Sequence, residues 1–130
     1  MIKHDAAKFG TLSVFAAHLH AHDSCTKFAV TTSGGDGAEA LGTLAAIDTY
    51  TGYGANQTFM PLDPVGRRER RLRPGDSLTV ECTFDTSARR TITEYGVGHG
   101  DEMCGPLLIY YPTDAGEYFP DHSWLMERLT

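Results

Sequence analysis

Apolar and polar residues alternate from Thr11 to His22 in a pattern that suits an extended strand. Side chains at i and i+2 share a face of a strand. Phe15, Ala17, Leu19 and Ala21 are therefore expected on one side, and Val14, Ala16, His18, His20 and His22 on the other. One side is apolar, and the other turns imidazole-rich toward its end. Shorter segments rich in Val, Ile, Thr and aromatic residues follow: Lys27 to Thr32, Leu41 to Asp48, Gln57 to Leu62, Arg67 to Leu72, Ser77 to Phe84, Thr91 to Tyr95 and Met103 to Tyr111. Gly34-Gly35-Asp36-Gly37 and Pro74-Gly75-Asp76 mark turns between them. About eight short strands at this spacing predict an all-β fold, an antiparallel β-sandwich of jelly-roll-like kind.

Length and charge narrow the picture. At 130 residues the chain is expected to form a single domain, 1–130, large enough to bury a core. Its 11 basic and 17 acidic residues give a net charge of -6, which argues against a nucleic-acid partner. The one basic run, from Arg67 to Arg73, reads as the solvated face of an edge strand, where charge discourages edge-to-edge pairing. No apolar run approaches the ~20 residues that span a bilayer, and Met1-Ile2-Lys3-His4-Asp5 lacks the apolar core of a signal peptide. No membrane partner is expected.

Two clusters carry candidate chemistry. His18-Leu19-His20-Ala21-His22 sets three imidazoles along one strand face, and Asp101-Glu102-Met103-Cys104 offers a thioether. Two or three imidazoles with a methionine sulfur form a soft donor set that suits Cu(I) far better than Mg, Ca or structural Zn. Copper is the expected ligand.

The same residues carry a resemblance. His20-Ala21-His22, Arg73-Pro74-Gly75-Asp76, Cys82-Thr83-Phe84-Asp85-Thr86 with Arg89, Gly98, Asp101-Glu102-Met103-Cys104 and Tyr110-Tyr111-Pro112 stand in an order that resembles the copper type II, ascorbate-dependent monooxygenases. The likeness is to the C-terminal, oxygen-binding copper domain of the peptidylglycine α-hydroxylating and dopamine β-monooxygenase type. It covers about residues 14–112 and leaves the tail 113–130 outside, where Trp124-Leu125-Met126 could pack as a short helix or mediate a contact. The resemblance implies one copper per chain held by His20, His22 and Met103, which act on O2 and a small-molecule substrate with ascorbate or another external reductant. It also implies a Cys82–Cys104 disulfide, which leaves Cys25 as an odd thiol and favours an extracytoplasmic home.

Other residues stay open. His18 shares the face of the paired histidines and Cys25 lies close after them, so both are further candidate ligands, although a partly buried histidine and a free thiol are the plainer readings. His99 reads as a residue supporting the ligands or as a surface histidine. Asp101 and Glu102 read as structural carboxylates. The chain departs from the family pattern at Gly105, Pro106 and Leu107, where peptide-amidating members carry polar residues that grip substrate, and this argues against a peptidylglycine substrate. It also shows no second ligand cluster, so electrons would come from a separate electron-donor domain or through a homo-oligomer.

Three functions fit to different degrees. The first is a copper-dependent monooxygenase-like domain that hydroxylates a C–H bond of a small molecule. The second is a non-catalytic copper-binding sandwich for storage, transfer or assembly. A zinc hydrolase is the third, suggested by a superficial likeness of residues 18–23 to a His-X-His-X-Asp-His motif, but here Asp and His are reversed at 22 and 23.

Overall fold

In a computed structural model of the chain, residues 8, 10–35, 37–51 and 58–112 are described. Seven strands lie among them: β1 (Leu12–Ala21), β2 (Cys25–Gly34), β3 (Glu39–Ile47), β4 (Met60–Pro61), β5 (Arg71–Leu72), β6 (Ser77–Phe84) and β7 (Cys104–Pro112). They form two sheets whose strand pairings are all antiparallel. In the first, β1 pairs with β7 along its whole length and with the short β4 and β5 on its remaining groups. In the second, β2 lies between β3 and β6. The all-β sandwich expected from the strand spacing is what the chain forms.

A single extra residue decides which side chains of β1 face inward. The ladder pairs Val14 with Tyr110 and Ala16 with Ile109, so Phe15 is a bulge with no partner of its own. An inserted residue reverses the alternation beyond it. Leu12 and Val14 therefore point into the core, and after the bulge so do Ala17, Leu19 and Ala21, all fully buried. Strict alternation had placed Val14 on the imidazole side and Phe15 on the apolar side. Both assignments are corrected: Val14 joins the core cluster, while Phe15 stacks at 5.8 Å on Tyr111 outside it.

Across the sandwich, Phe28 and Val30 of β2 and Leu44 and Ala45 of β3 complete the core, with Tyr50 and Leu72. Burying a side chain such as Phe28, only 1% exposed, is worth roughly 1.5–3 kcal/mol. From β7 the residues opposite the core positions of β1, among them Leu108 and Tyr110, pack against that cluster. A disulfide joins Cys82 of β6 to Cys104 of β7, with Cα atoms 6.2 Å apart, and so ties the two sheets together. This is the pairing the resemblance implied, and Cys25 is the free cysteine.

Three predicted strands come out differently. Thr91 to Tyr95 forms no strand; its one sheet-like contact is an isolated bridge from Tyr95 to Glu102. Of the segment 57–62, residue 57 lies outside the described residues and pairing is confined to Met60 and Pro61. The basic run is not an edge strand with a solvated face. Arg68–Arg70 make a 3-10 turn, and only Arg71 and Leu72 pair, with Ser13 and Leu12. The run bends because it has a specific anion to satisfy. The Arg68 guanidinium donates to Asp76 at 2.9 Å and pairs with its other oxygen at 2.8 Å. That second oxygen also accepts the Arg73 N–H at 2.8 Å, closing the turn at Pro74-Gly75, where Gly75 has φ 90°. A proline followed by a residue of positive φ suits this turn, and glycine takes that φ without strain. Trp124-Leu125-Met126 lie outside the described residues.

Burial alone raises the Asp76 carboxyl, but the Arg68 and Arg73 hydrogen bonds and their charges outweigh it and hold the group below the usual carboxylate range. A carboxyl held low in the folded state contributes stability above its unfolded value that is lost as pH falls through the folded value. Asp76→Asn should therefore destabilise the fold at neutral pH by about 1–3 kcal/mol. In urea titrations run at a series of pH values, the gap between variant and parent should narrow below about pH 4.

Reduction of the Cys82–Cys104 bridge, whose partners are 22 residues apart, should lower stability by about 3 kcal/mol, measured by denaturant unfolding with and without reductant. Peptide mapping without reductant should find Cys25 unbridged.

Candidate metal centre

The end of β1 carries the imidazoles on the face turned away from the core. Past the bulge, Ala17, Leu19 and Ala21 take the inward positions, so His18 and His20 take the outward ones and are half-buried. His22, one residue past the strand, is 4% exposed. The His20 and His22 rings stand edge to face with centroids 5.4 Å apart. Two imidazoles on one metal at about 2.0 Å have ring centres roughly 5–6 Å apart. The pair is thus spaced for a shared ion.

The β1–β7 register brings Met103 to the same place. Ala21 pairs with Cys104 and His20 with Gly105, and the next step sets Met103 opposite His22, where the His22 N–H donates to the Met103 carbonyl at 3.3 Å. Residues directly opposite across strands share a face. Gly105, opposite His20, leaves that face open: a Cβ there would meet no atom within 4 Å. His20, His22 and Met103 are therefore gathered at one end of the sheet beside free space.

His22 is also oriented. Its Nδ1 lies 3.2 Å from the Asp101 carbonyl oxygen, and a carbonyl can only accept, so Nδ1 carries the proton and Nε2 is left with its lone pair. A ring N–H fixed on a carbonyl is the usual support for an imidazole ligand. The loop that supplies this carbonyl is held by its own side chains. The Asp101 carboxylate accepts the Gly98 N–H at 3.0 Å, and the Asp101 N–H donates to the Gly98 carbonyl at 2.9 Å. A Cβ on Gly96 would stand within 2.8 Å of the Asp101 carboxyl carbon, so only glycine fits there. Arg89 donates to Thr93 and to the Gly100 carbonyl. Asp101 is thus structural, and Glu102 joins the same loop through its backbone, donating to Glu94 and accepting from Gly96.

The remaining candidates are placed apart. The His18 ring lies 6.1 Å from His20 but packs edge-on against Phe59 at 5.2 Å, and its Nε2 is buried without a hydrogen-bond partner. Burial, and then the charge of His20, hold its imidazole below the ordinary value. Cys25 is in the core at 2% exposure, its thiol donating to the Lys27 carbonyl at 3.2 Å and pushed up by burial. It is not brought to the imidazoles. His99 stands edge-on to His22 at 6.1 Å. No three His, Cys, Asp or Glu side chains among the described residues are drawn around a single point. A set of two histidines and a methionine needs no such trio.

Tyr50 escaped the reading of the sequence. β4 stops pairing at Ala17, and past it the buried Tyr50 hydroxyl takes over the peptide groups on either side of His20. It accepts the Ala21 N–H at 2.9 Å and faces the Leu19 and Ala21 carbonyls at 3.0 and 3.2 Å. Nothing local marks a tyrosine 29 residues away as the clamp of a strand.

Comparison with known proteins decides the family. Residues 3–120 match the copper type II ascorbate-dependent monooxygenase family, C-terminal domain. The chain belongs to this family. It is 32% identical over 106 residues to a tyramine beta-hydroxylase of Caenorhabditis briggsae, covering 82% of this chain and 17% of that protein. It is 30% identical over 111 residues to the dopamine beta-hydroxylase of Canis lupus familiaris, covering 85% and 16%. A shorter stretch of 46 residues is 41% identical to the mouse DBH-like monooxygenase protein 1. The chain thus spans under a fifth of the length of these relatives. The family match reaches beyond the 14–112 window that the motifs mark, because the flanks carry no fixed motif to read. In this copper monooxygenase domain, the motif around Cys82 acts structurally: Asp85 donates its N–H to the Ser24 carbonyl at 2.7 Å and receives the Ser87 N–H on its carboxylate at 2.9 Å. Among the described residues no helix is long and apolar enough to cross a membrane.

Tyr50→Phe should cost about 1–3 kcal/mol, since it strands buried peptide groups beside His20. Urea unfolding should show the loss, and hydrogen exchange should show the Ala21 amide opening faster.

Proposed function

We propose that this domain holds one copper through His20 Nε2, His22 Nε2 and the Met103 sulfur, and acts as the oxygen-reactive half of a small-molecule C–H hydroxylase. The observation that carries this reading is the β1–β7 register, which sets Met103 beside a histidine pair spaced at 5.4 Å with one ring already oriented. Bound there, copper supplies a one-electron redox couple and, in the reduced state favoured by a thioether, a site reactive toward O2. The protein's own part is orientation. Asp101 fixes the His22 tautomer, Tyr50 steadies the backbone at His20, and the disulfide anchors the residue next to Met103.

The outer face beside His18 carries exposed apolar side chains. Leu107, opposite His18 in the ladder, is 54% exposed and Phe59 46%. A small molecule with an apolar reacting end suits such a face, consistent with relatives named for tyramine and dopamine hydroxylation. Hydroxylation of RH to ROH with O2 also forms water and consumes two electrons and two protons. One copper cycles a single electron, so the second comes from ascorbate or another reductant through a separate copper-bearing domain or a second chain. The disulfide supports an oxidising, extracytoplasmic compartment. A non-catalytic copper carrier is the second reading, favoured by one observation: the described residues hold no further ligand cluster.

Anaerobic Cu(I) titration with X-ray absorption tests the site. One Cu(I) with a sulfur scatterer is expected; Met103→Ala should remove the sulfur signal, and Met60→Ala should not. Reduced protein with ascorbate should consume O2 and release hydrogen peroxide when no substrate is present, and His20→Ala and His22→Ala should abolish this. Cu(I) protein that is inert to O2 over hours would leave the carrier reading standing.

A further inference from the structure

The sandwich has two flanks, and only one is protected against other chains. On the first, β3 follows β2 with two register shifts and carries Gly42 at φ 135°, while β4 and β5 pair over two residues each. Bulges and very short strands are how natural sheets keep their edges from pairing with a neighbour. On the second flank lie β6 and β7, joined by the Cys82–Cys104 bridge. From Thr83 back to Ser77, β6 runs against β2 with no register shift. It contains no lysine, proline or glycine, and among the described residues it pairs with no strand but β2.

The core is incompletely closed along this flank. Pairing with buried Phe28, Val30 and Thr32 turns Cys82, Val80 and Leu78 inward. Yet Val80 is 40% exposed, and Leu78, Cys82 and, from β7, Leu108 are only half-buried. Leu19 and Val30, inward on the central strands, are fully buried. We infer that this flank is a dimer interface, in which β6 pairs antiparallel with β6 of a second copy about a two-fold axis at Val80. A second copy fits because it presents the same two stacked edges. An axis perpendicular to the sheets brings β6 to β6 and β7 beside β7 together.

Faces and charge select the register. Residues directly opposite share a face, so inward residues meet inward ones. The two fullest registers pair Ser77–Thr83 with its own copy about Val80, or Leu78–Phe84 with its own copy about Glu81. The second sets Glu81 against itself, and like charges directly opposite are destabilising. The first sets Val80 on Val80, Leu78 on Cys82 and Glu81 on Thr79. A strand of eight residues is about 26 Å long, and two sheets about 10 Å apart make a flank roughly 20 Å across, so the dimer buries roughly 1,000 Å² in all. That is the low end for a specific interface, and the dimer is accordingly weak and concentration-dependent. The inference stands on β6 and β7 alone and is independent of the copper assignment.

Sedimentation equilibrium of the full chain, without reductant and from about 1 μM to about 1 mM, tests it. The parent should dimerise. Val80→Lys should weaken the dimer at least tenfold, whereas Val65→Lys, at a valine 80% exposed outside this flank, should leave it unchanged. Thr79→Lys, which sets a cation against the second copy's Glu81, should tighten the dimer about threefold, and Thr79→Glu should loosen it by a similar factor. Thr79 is exposed, so both variants should fold, and if Val80→Lys does not, their opposite signs decide alone. Amide hydrogen exchange over residues 77–84 should slow as the concentration rises. A monomer throughout the range, or a dimer on which the two Thr79 substitutions act alike, overturns the proposal.

Discussion

The antiparallel ladder between β1 and β7, with its single bulge at Phe15, is the constraint on which the rest of the domain depends. It supplies the register that buries Leu12 and Val14 on one side of the bulge and Ala17, Leu19 and Ala21 on the other. It turns His18 and His20 outward at the same stroke. Without the extra residue, a strand that buried Leu12 and Val14 would also bury His18 and His20, whose desolvation costs far more than a histidine can recover in an apolar core. The bulge reconciles a hydrophobic start with an imidazole-bearing end in one continuous strand.

That ladder also places the sulfur. Met103 is one residue before β7 begins, and its neighbour Cys104 is covalently fixed to β6 in the opposite sheet. The soft donor is therefore held from two directions: by hydrogen bonding to His22 within the sheet and by a covalent bond across the sandwich. The loop from Arg89 to Glu102 adds a third support through Asp101, whose carboxylate organises the loop while its carbonyl orients His22. A carboxylate beside a candidate metal centre invites an acid–base role. Here its Oδ2 accepts the Gly98 N–H, and its contribution is to position.

The candidate donors meet around His22: His20 stands beside it with ring centroids 5.4 Å apart, and Met103 lies opposite it across the β1–β7 ladder. A Cβ on Gly105 would meet no atom within 4 Å, and the exposed apolar side chains of Phe59 and Leu107 lie beside and opposite His18. The chain spans under a fifth of the length of the hydroxylases it resembles.

Local pattern carried the strand composition, the bounds of Ser77 to Phe84, the Pro-Gly turn, the His-X-His face and the family motifs, because each depends on neighbours within a few residues. The sequence by itself therefore determined the fold class and the cysteine pairing implied by the family likeness, and it nominated the donors on which the proposed function rests. It could not show the bulge at Phe15, since an unpaired residue is defined only against the strand opposite. Nor could it show that Tyr50 clamps the peptides beside His20, that Arg68 leaves the expected edge strand to neutralise Asp76, or that Thr91 to Tyr95 gives up strand pairing to a loop stapled by Arg89 and Asp101. Each of these is a hydrogen bond or ion pair whose partner is fixed by packing. Alternation told which residues could share a face; only the tertiary structure, by setting β1 against β7 with one extra residue at Phe15, decided which face it was.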